Sequence, residues 1–168
     1  MLVYHGSDIE VDAPNPFLGR KKLDFGRGFY TTTLAEQAEQ WARRKAYEVS
    51  KPKGIVSVFE YREDSSQKVL SFDGYTCDWL RFVADNRSNN EPGNDDAIDI
   101  VRGGIANDRV ISSINFFIEE VGAGRESEEL VSFTLKQLSY QKPNDQICFK
   151  TERSLQSLSF IRSYEVTR

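Results

Sequence analysis

Two short segments of this chain carry residue types that can do chemistry together. Tyr4-His5-Gly6 sets the single histidine at the end of a short apolar run, beside a glycine that leaves its backbone N–H and C=O open to a docking group. A histidine at a strand end is most simply structural. A neutral imidazole beside an open backbone edge can also orient a hydroxyl and a carboxamide at once. The second segment is Leu23 to Thr33 (LDFGRGFYTTT). It reads as a glycine turn feeding a strand, with Phe29 and Tyr30 on opposite faces. One ring then enters the core, and the other is either more core or a flat platform for a ligand. Just upstream, Arg20-Lys21-Lys22 is a basic run, either a solvated loop or a clamp for phosphate.

Other chemistries find little support. Cys77, Cys148 and His5 have no zinc-ligand spacing. Asp95, Asp96 and Asp99 suggest a calcium loop, but no glutamate stands at the required spacing. Gly26-Arg27-Gly28 lacks the G-x-G-x-x-G pattern and precedes a strand rather than a helix, which argues against a Rossmann dinucleotide site. Asn107-Asp108 is most simply a helix N-cap. Trp41 and Trp79 recur with other apolar residues at helical spacing and are expected in the core.

The elements that must position these residues alternate between strand and helix. Strands are expected at 1–5, 28–33, 54–61, 68–72, 99–103, 146–149 and 160–166, and helices at 34–50, 75–86, 107–120 and 127–137. The stretch 87–96 is the most polar and reads as a surface loop. Strands at both ends with most helices between them predict a single α+β domain, 1–168, with a split and mostly antiparallel β core and the first strand interior. With 168 residues, 39% of them hydrophobic, the chain can build one real core. A net charge of -4 gives no general attraction to nucleic acid or anionic lipid. The two cysteines are expected to be small buried residues in a reducing compartment. No secretory leader and no apolar span are visible, so a cytoplasmic protein with no membrane contact is expected.

The combination of the two chemical segments is more specific than either. Tyr4-His5-Gly6 followed by Gly26-Arg27-Gly28-Phe29-Tyr30-Thr31 resembles the opening of the ADP-ribosyltransferase fold in its histidine–tyrosine class, to which diphtheria toxin and the poly-ADP-ribose polymerases belong. From residue 1 to about 160 the chain is similar to a bacterial family of domains of unknown function grouped with these enzymes. Residues 18–30 (LGRKKLDFGRGFY), 102–108 (RGGIAND) and 144–149 (NDQICF) carry that likeness.

The resemblance implies an ADP-ribosyltransferase-like fold and NAD as substrate, with no metal. It implies that His5 bonds the nicotinamide-side ribose, Gly6 holds the carboxamide through its backbone, and Tyr30 stacks on the nicotinamide ring. By the same token Gly28 lies against the cofactor, and Arg20 pairs with the pyrophosphate. The class has a third position on a late strand, usually glutamate, that touches the ribose 2′-hydroxyl and steadies the charge as nicotinamide leaves. Here the matching segment is Asp145-Gln146-Ile147, so Gln146 is the first choice and Asp145 the second, one residue of register apart. His5, Tyr30 and Gln146 should then line one cleft. Removing the Tyr30 hydroxyl should change NAD binding little, and Gln146→Glu should keep or raise activity.

Two functions from different classes follow. One is an enzyme that moves ADP-ribose from NAD to a macromolecule, protein or nucleic acid, as a bacterial toxin of a toxin–antitoxin or phage-defence system, with a cognate antitoxin protein as partner. The other is a weak or inactive NAD- or ADP-ribose-binding module that acts through protein partners.

Overall fold

A computed structural model describes residues 1–88, 98–106, 111–138 and 144–167. The elements in order are β1 (Leu2–Ser7), β2 (Phe29–Thr31), α1 (Ala35–Glu48), β3 (Lys53–Tyr61), β4 (Val69–Ser71), α2 (Cys77–Arg87), β5 (Ile100–Gly103), α3 (Ile111–Gly122), α4 (Glu128–Leu138), β6 (Gln146–Phe149), α5 (Glu152–Leu155) and β7 (Leu158–Thr167). Every expected element is present within a few residues of its expected bounds, except that the start expected for α3, with its Asn107-Asp108 cap, lies outside the described residues. So do Asp95 and Asp96. Asp99 is described, and its carboxylate accepts from Lys68 N at 2.9 Å and Thr151 Oγ1 at 2.7 Å, which is a structural use. The short α5 was not expected. Its signal is a capping box in which Thr151 and Ser154 satisfy each other's backbone N–H groups.

The β structure divides into two sheets. One has the order β1-β3-β7 and the other β2-β6-β5-β4. Every ladder is antiparallel except β4–β5, whose parallel pairing is reached by the crossover through α2. The fold is therefore α+β with a split, mostly antiparallel core. The first strand is not interior to its sheet, however. β3, nine residues long and nearly all buried, takes the centre because it can pair along both edges. β1 pairs fully with β3 on one side only. On the other it holds a single bridge, Tyr4 to Thr32, which is the seam between the two sheets.

Three apolar clusters show how the layers stack. Val3, Phe59 and Tyr61 of the first sheet meet Phe29, Ile100, Ile147 and Phe149 of the second. Tyr4, Val56, Val58 and Val166 on the outer face of the first sheet meet Ala38 and Ala42 of α1. Val101, Cys148 and Tyr30 on the outer face of the second meet Trp79, Leu80 and Val83 of α2, with Ile114, Phe117 and Val131 of α3 and α4. The order is helix, sheet, sheet, helices.

Alanine at 38, 42 and 46 lets α1 lie flush on the sheet, and glycines opposite complete the fit. A Cβ on Gly6 would sit 2.1 Å from Ala38 O, and one on Gly54 would sit 2.2 Å from Ala42 O. This narrow seam of small residues turns Trp41 outward. It is 48% exposed, with Arg44 and Lys45 over its ring, whereas Trp79 is fully buried as expected. Cys77 is likewise exposed at the start of α2, and of the two only Cys148 is buried; neither is in a disulfide.

Candidate functional site

The seam is where the fold leaves polar groups without strand partners. Tyr4 and Thr32 exchange two backbone hydrogen bonds, Tyr4 N to Thr32 O at 2.8 Å and Thr32 N to Tyr4 O at 3.0 Å. In an antiparallel ladder the next such pair falls two residues on, which is Gly6 opposite Tyr30. That pair does not form. Instead His5 Nδ1 lies 2.7 Å from Tyr30 O, taking the carbonyl that Gly6 N–H would otherwise reach. The imidazole acts as a wedge. By the alternation of strand bonding, the N–H and C=O of Gly6, which is buried, are directed toward β2 rather than at β3.

The chemistry of His5 follows from this contact. A carbonyl accepts only, so Nδ1 carries the proton and donates, and Nε2 is left as an acceptor. Burial lowers the His5 pKa below its ordinary value, against the opposing pull of the Tyr30 carbonyl. The ring also stacks on Phe29 with centroids 4.5 Å apart. The group is a neutral imidazole of fixed tautomer, beside a glycine backbone edge.

Tyr30 lies on the other face of β2 from Phe29. Its ring packs against the helix-side cluster. Its hydroxyl donates to Gly26 O at 2.6 Å and accepts from Phe25 N at 3.1 Å, closing the 25–30 turn. Burial first, then the neighbouring Cys148 and Asp24, raise its pKa well above the ordinary tyrosine value. The hydroxyl therefore has a structural use in the fold. Gly28 is a packing glycine: a Cβ there would lie 2.3 Å from Cys148 Sγ and 2.8 Å from Phe149 O.

Gln146 opens β6 and is buried, with its side chain on the Tyr30 face of the sheet. Nε2 donates to Asp24 Oδ2 at 2.9 Å and to Gly104 O at 3.0 Å. Both partners only accept, which explains an amide here rather than a carboxylate and removes the basis for expecting Gln146→Glu to be benign. Asp145, on the next register, is a clamp. Its carboxylate takes Thr33 N at 3.0 Å and Thr33 Oγ1 at 2.7 Å along with Thr32 Oγ1, and its carbonyl takes Gln37 Nε2 at 2.7 Å.

The three residues expected in one cleft are thus not gathered there. Tyr30 and Gln146 share the helix-side face, and His5 points into the layer between the sheets, because parity along β1 puts it beside Val3 and Phe29. A cleft of about 460 Å³ does open where β5 and β6 meet the end of β2, and it is lined by Gln146, Asn144, Arg102, Tyr75 and Thr33 among others, but not by His5 or Tyr30. Arg20 is exposed on the loop before β2, outside that lining. It acts with Lys45 and Arg44 to hold the Glu48 carboxyl at the end of α1 below its ordinary value, Lys45 contributing most.

A family model described as a protein of unknown function, DUF3990, matches residues 1–160. The chain belongs to the DUF3990 family. No curated protein and no solved structure matches it. The seam, the hub around Gln146 and the end cleft all lie inside the matched span.

Several residues of this DUF3990 chain that build the site were missed from sequence. Asp24, 5% exposed, is the hub: Oδ1 takes Arg87 Nε at 2.7 Å, and Oδ2 takes Ala106 N at 2.8 Å as well as Gln146. Asn144 Oδ1 accepts Ile105 N at 2.7 Å, and the Tyr75 hydroxyl donates to Ile105 O at 3.1 Å. Burial raises the Tyr75 pKa. Gly104, Ile105 and Ala106 enter this network through their backbone, which no residue type marks in the sequence, and Asn144 and Gln146 enter it through their side chains. Among the described residues no group of His, Cys, Asp and Glu could hold a metal ion, and no helix is long and apolar enough to cross a membrane.

Proposed function

We propose that this protein is an NAD-dependent ADP-ribosyltransferase that modifies a macromolecule, with the nicotinamide end of NAD seated in the seam at His5 and Gly6. The observation that carries this reading is the broken Gly6–Tyr30 pair. A strand edge with one N–H and one C=O side by side is complementary to a primary carboxamide, which offers one C=O and one NH₂. His5 Nε2, held as an acceptor by the Nδ1 contact, suits a ribose hydroxyl. The chain's own motifs, 4–6 and 26–31, support the same reading through their likeness to the histidine–tyrosine class.

The chemistry asks little more of the site. Breaking the nicotinamide–ribose bond passes through an oxocarbenium-like state, which gains from positioning, exclusion of water and a nearby acceptor dipole. Gln146 lies on the helix-side face, away from His5, so the acceptor dipole in this reading is His5 Nε2. The cell biology that suits the reading is a cytoplasmic toxin restrained by an antitoxin protein.

A second reading has its own support. The Tyr30 hydroxyl, the Asp145 carboxylate and the Gln146 N–H bonds are all committed inside the fold, which favours a module that binds NAD or ADP-ribose and acts through partners. Incubation of the pure protein with labelled NAD separates the two. Free nicotinamide with label on a macromolecule supports the transferase. Saturable NAD binding with neither product supports the module, and no binding at all removes both.

A further inference from the structure

We propose that the cleft at the end of the four-stranded sheet binds a small ligand bearing an oxyanion, a carboxylate or a phosphate, and seats that anion on Arg102. The inference stands on Arg102 and its neighbours and does not rest on the transferase reading.

Arg102 is near the end of β5 and is 28% exposed in its side chain. Its guanidinium lies over the Tyr61 ring, 5.1 Å from the centroid, and Nη2 donates to the Tyr61 hydroxyl at 2.6 Å. The same Nη2 meets Glu63 Oε1 at 2.9 Å. Nε is buried and has no hydrogen-bond partner, the one such side-chain atom among the described residues. Buried donors without acceptors are rare, and each calls for an explanation.

Nε and Nη2 form one side of the guanidinium fork, the pair that grips both oxygens of a carboxylate or phosphate. Glu63 fills only half of that fork. It does so from the exposed segment just after β3, with 68% of its side chain open to solvent. It is placed as a stand-in that a better oxyanion displaces. Burial works against the charged form of Arg102, yet the bonds to Glu63 and Tyr61 more than offset it and raise its pKa, so the cation is permanent.

The rest of the lining fits an anion with a flat body. Phe72 and Tyr75 supply apolar walls, and the amides of Asn144 and Gln146, bonded within the fold, complete the lining without adding charge. Asp145, the acidic residue of the lining, is turned onto Thr32 and Thr33 and opposes the anion least. The cleft volume of about 460 Å³ is in the range of small-molecule sites.

The test is calorimetric titration of the full chain with ADP, a phosphate on a heteroaromatic body, with benzoate, a carboxylate on a flat ring, and with neutral adenosine. We expect one of the two anions to bind, with adenosine weaker by at least about tenfold, and the anion that wins identifies the source. Arg102→Lys keeps the charge and loses the fork, so binding should weaken by about tenfold or more. Glu63→Gln, at an exposed position that leaves the fold alone, removes the competing carboxylate and should tighten binding by roughly threefold to tenfold. Failure of both anions to bind, equal binding of adenosine and ADP, or an affinity unmoved by Glu63→Gln overturns the proposal. Absence of nicotinamide release in the NAD experiment leaves this result untouched.

Discussion

The seam around His5 and the hub around Gln146 treat their polar groups in opposite ways. At the hub, Asp24, Gln146, Arg87 and the backbone of Gly104 and Ala106 satisfy one another inside a buried network. At the seam, one imidazole takes the Tyr30 carbonyl, and the pairing of β1 with β2 stops at the Tyr4–Thr32 bridge beside a buried glycine. A satisfied network rigidifies, and an interrupted ladder offers groups to a ligand. The contrast gives the hub a stabilising role, and the proposed function places recognition at the seam, although resemblance alone put residues of both in one pocket.

The sharpest way to break this division is Gln146→Glu. The introduced carboxylate faces the Asp24 carboxylate and the Gly104 carbonyl and can donate to neither. We expect a loss of about 3 kcal/mol or more in urea denaturation near neutral pH, the scale of an uncompensated buried charge. A variant as stable as the parent would show that the hub is not a closed network and would return Gln146 to the role of a free site residue.

Gly6→Ala acts on the seam from the opposite side. The added methyl meets the Ala38 carbonyl, which is backbone and cannot rotate away. Overpacking of this kind costs about 1–3 kcal/mol. The same shift of α1 relative to β1 should abolish nicotinamide binding. Intact binding with lowered stability would separate Gly6 from recognition.

Tyr30→Phe has the smallest expected effect. It leaves Phe25 N–H and Gly26 O without the hydroxyl that joins them, a loss of about 1–2 kcal/mol by thermal or chemical denaturation. Affinity for NAD should be unchanged, because the hydroxyl lies in the turn. Unchanged stability with weakened NAD binding would invert the roles of Tyr30 and His5.

Local pattern made the elements legible. The β-branched and aromatic run of 54–61 and the alanine spacing of 35–46 sufficed to place β3 and α1, because each carries its own local signal. What the pattern could not convey was partnership. That β3 rather than β1 takes the sheet centre depends on pairings between distant segments. Trp41 has the same helical spacing as a core residue, and only the closeness of Gly6 and Gly54 to α1 turns it out to solvent. His5 was identified from its neighbours Tyr4 and Gly6, and Gln146 from its place in a late strand. Asp24 was overlooked because a lone aspartate before a glycine turn looks like turn chemistry, while its partners Arg87, Ala106 and Gln146 are far away in sequence.

The central claim is that His5 holds the seam open as a neutral imidazole with a free acceptor. Since the chain has one histidine, nitrogen-15 NMR of the ring reads it without ambiguity. The account predicts a predominant Nδ1–H tautomer at pH 7 and a ring still mostly neutral at pH 6.5, the ordinary histidine value, because burial lowers its pKa. It also predicts that NAD, titrated to saturation, moves the Nε2 resonance more than that of Nδ1. A ring that is protonated at pH 7, a dominant Nε2–H tautomer, or an Nε2 signal indifferent to NAD would contradict it.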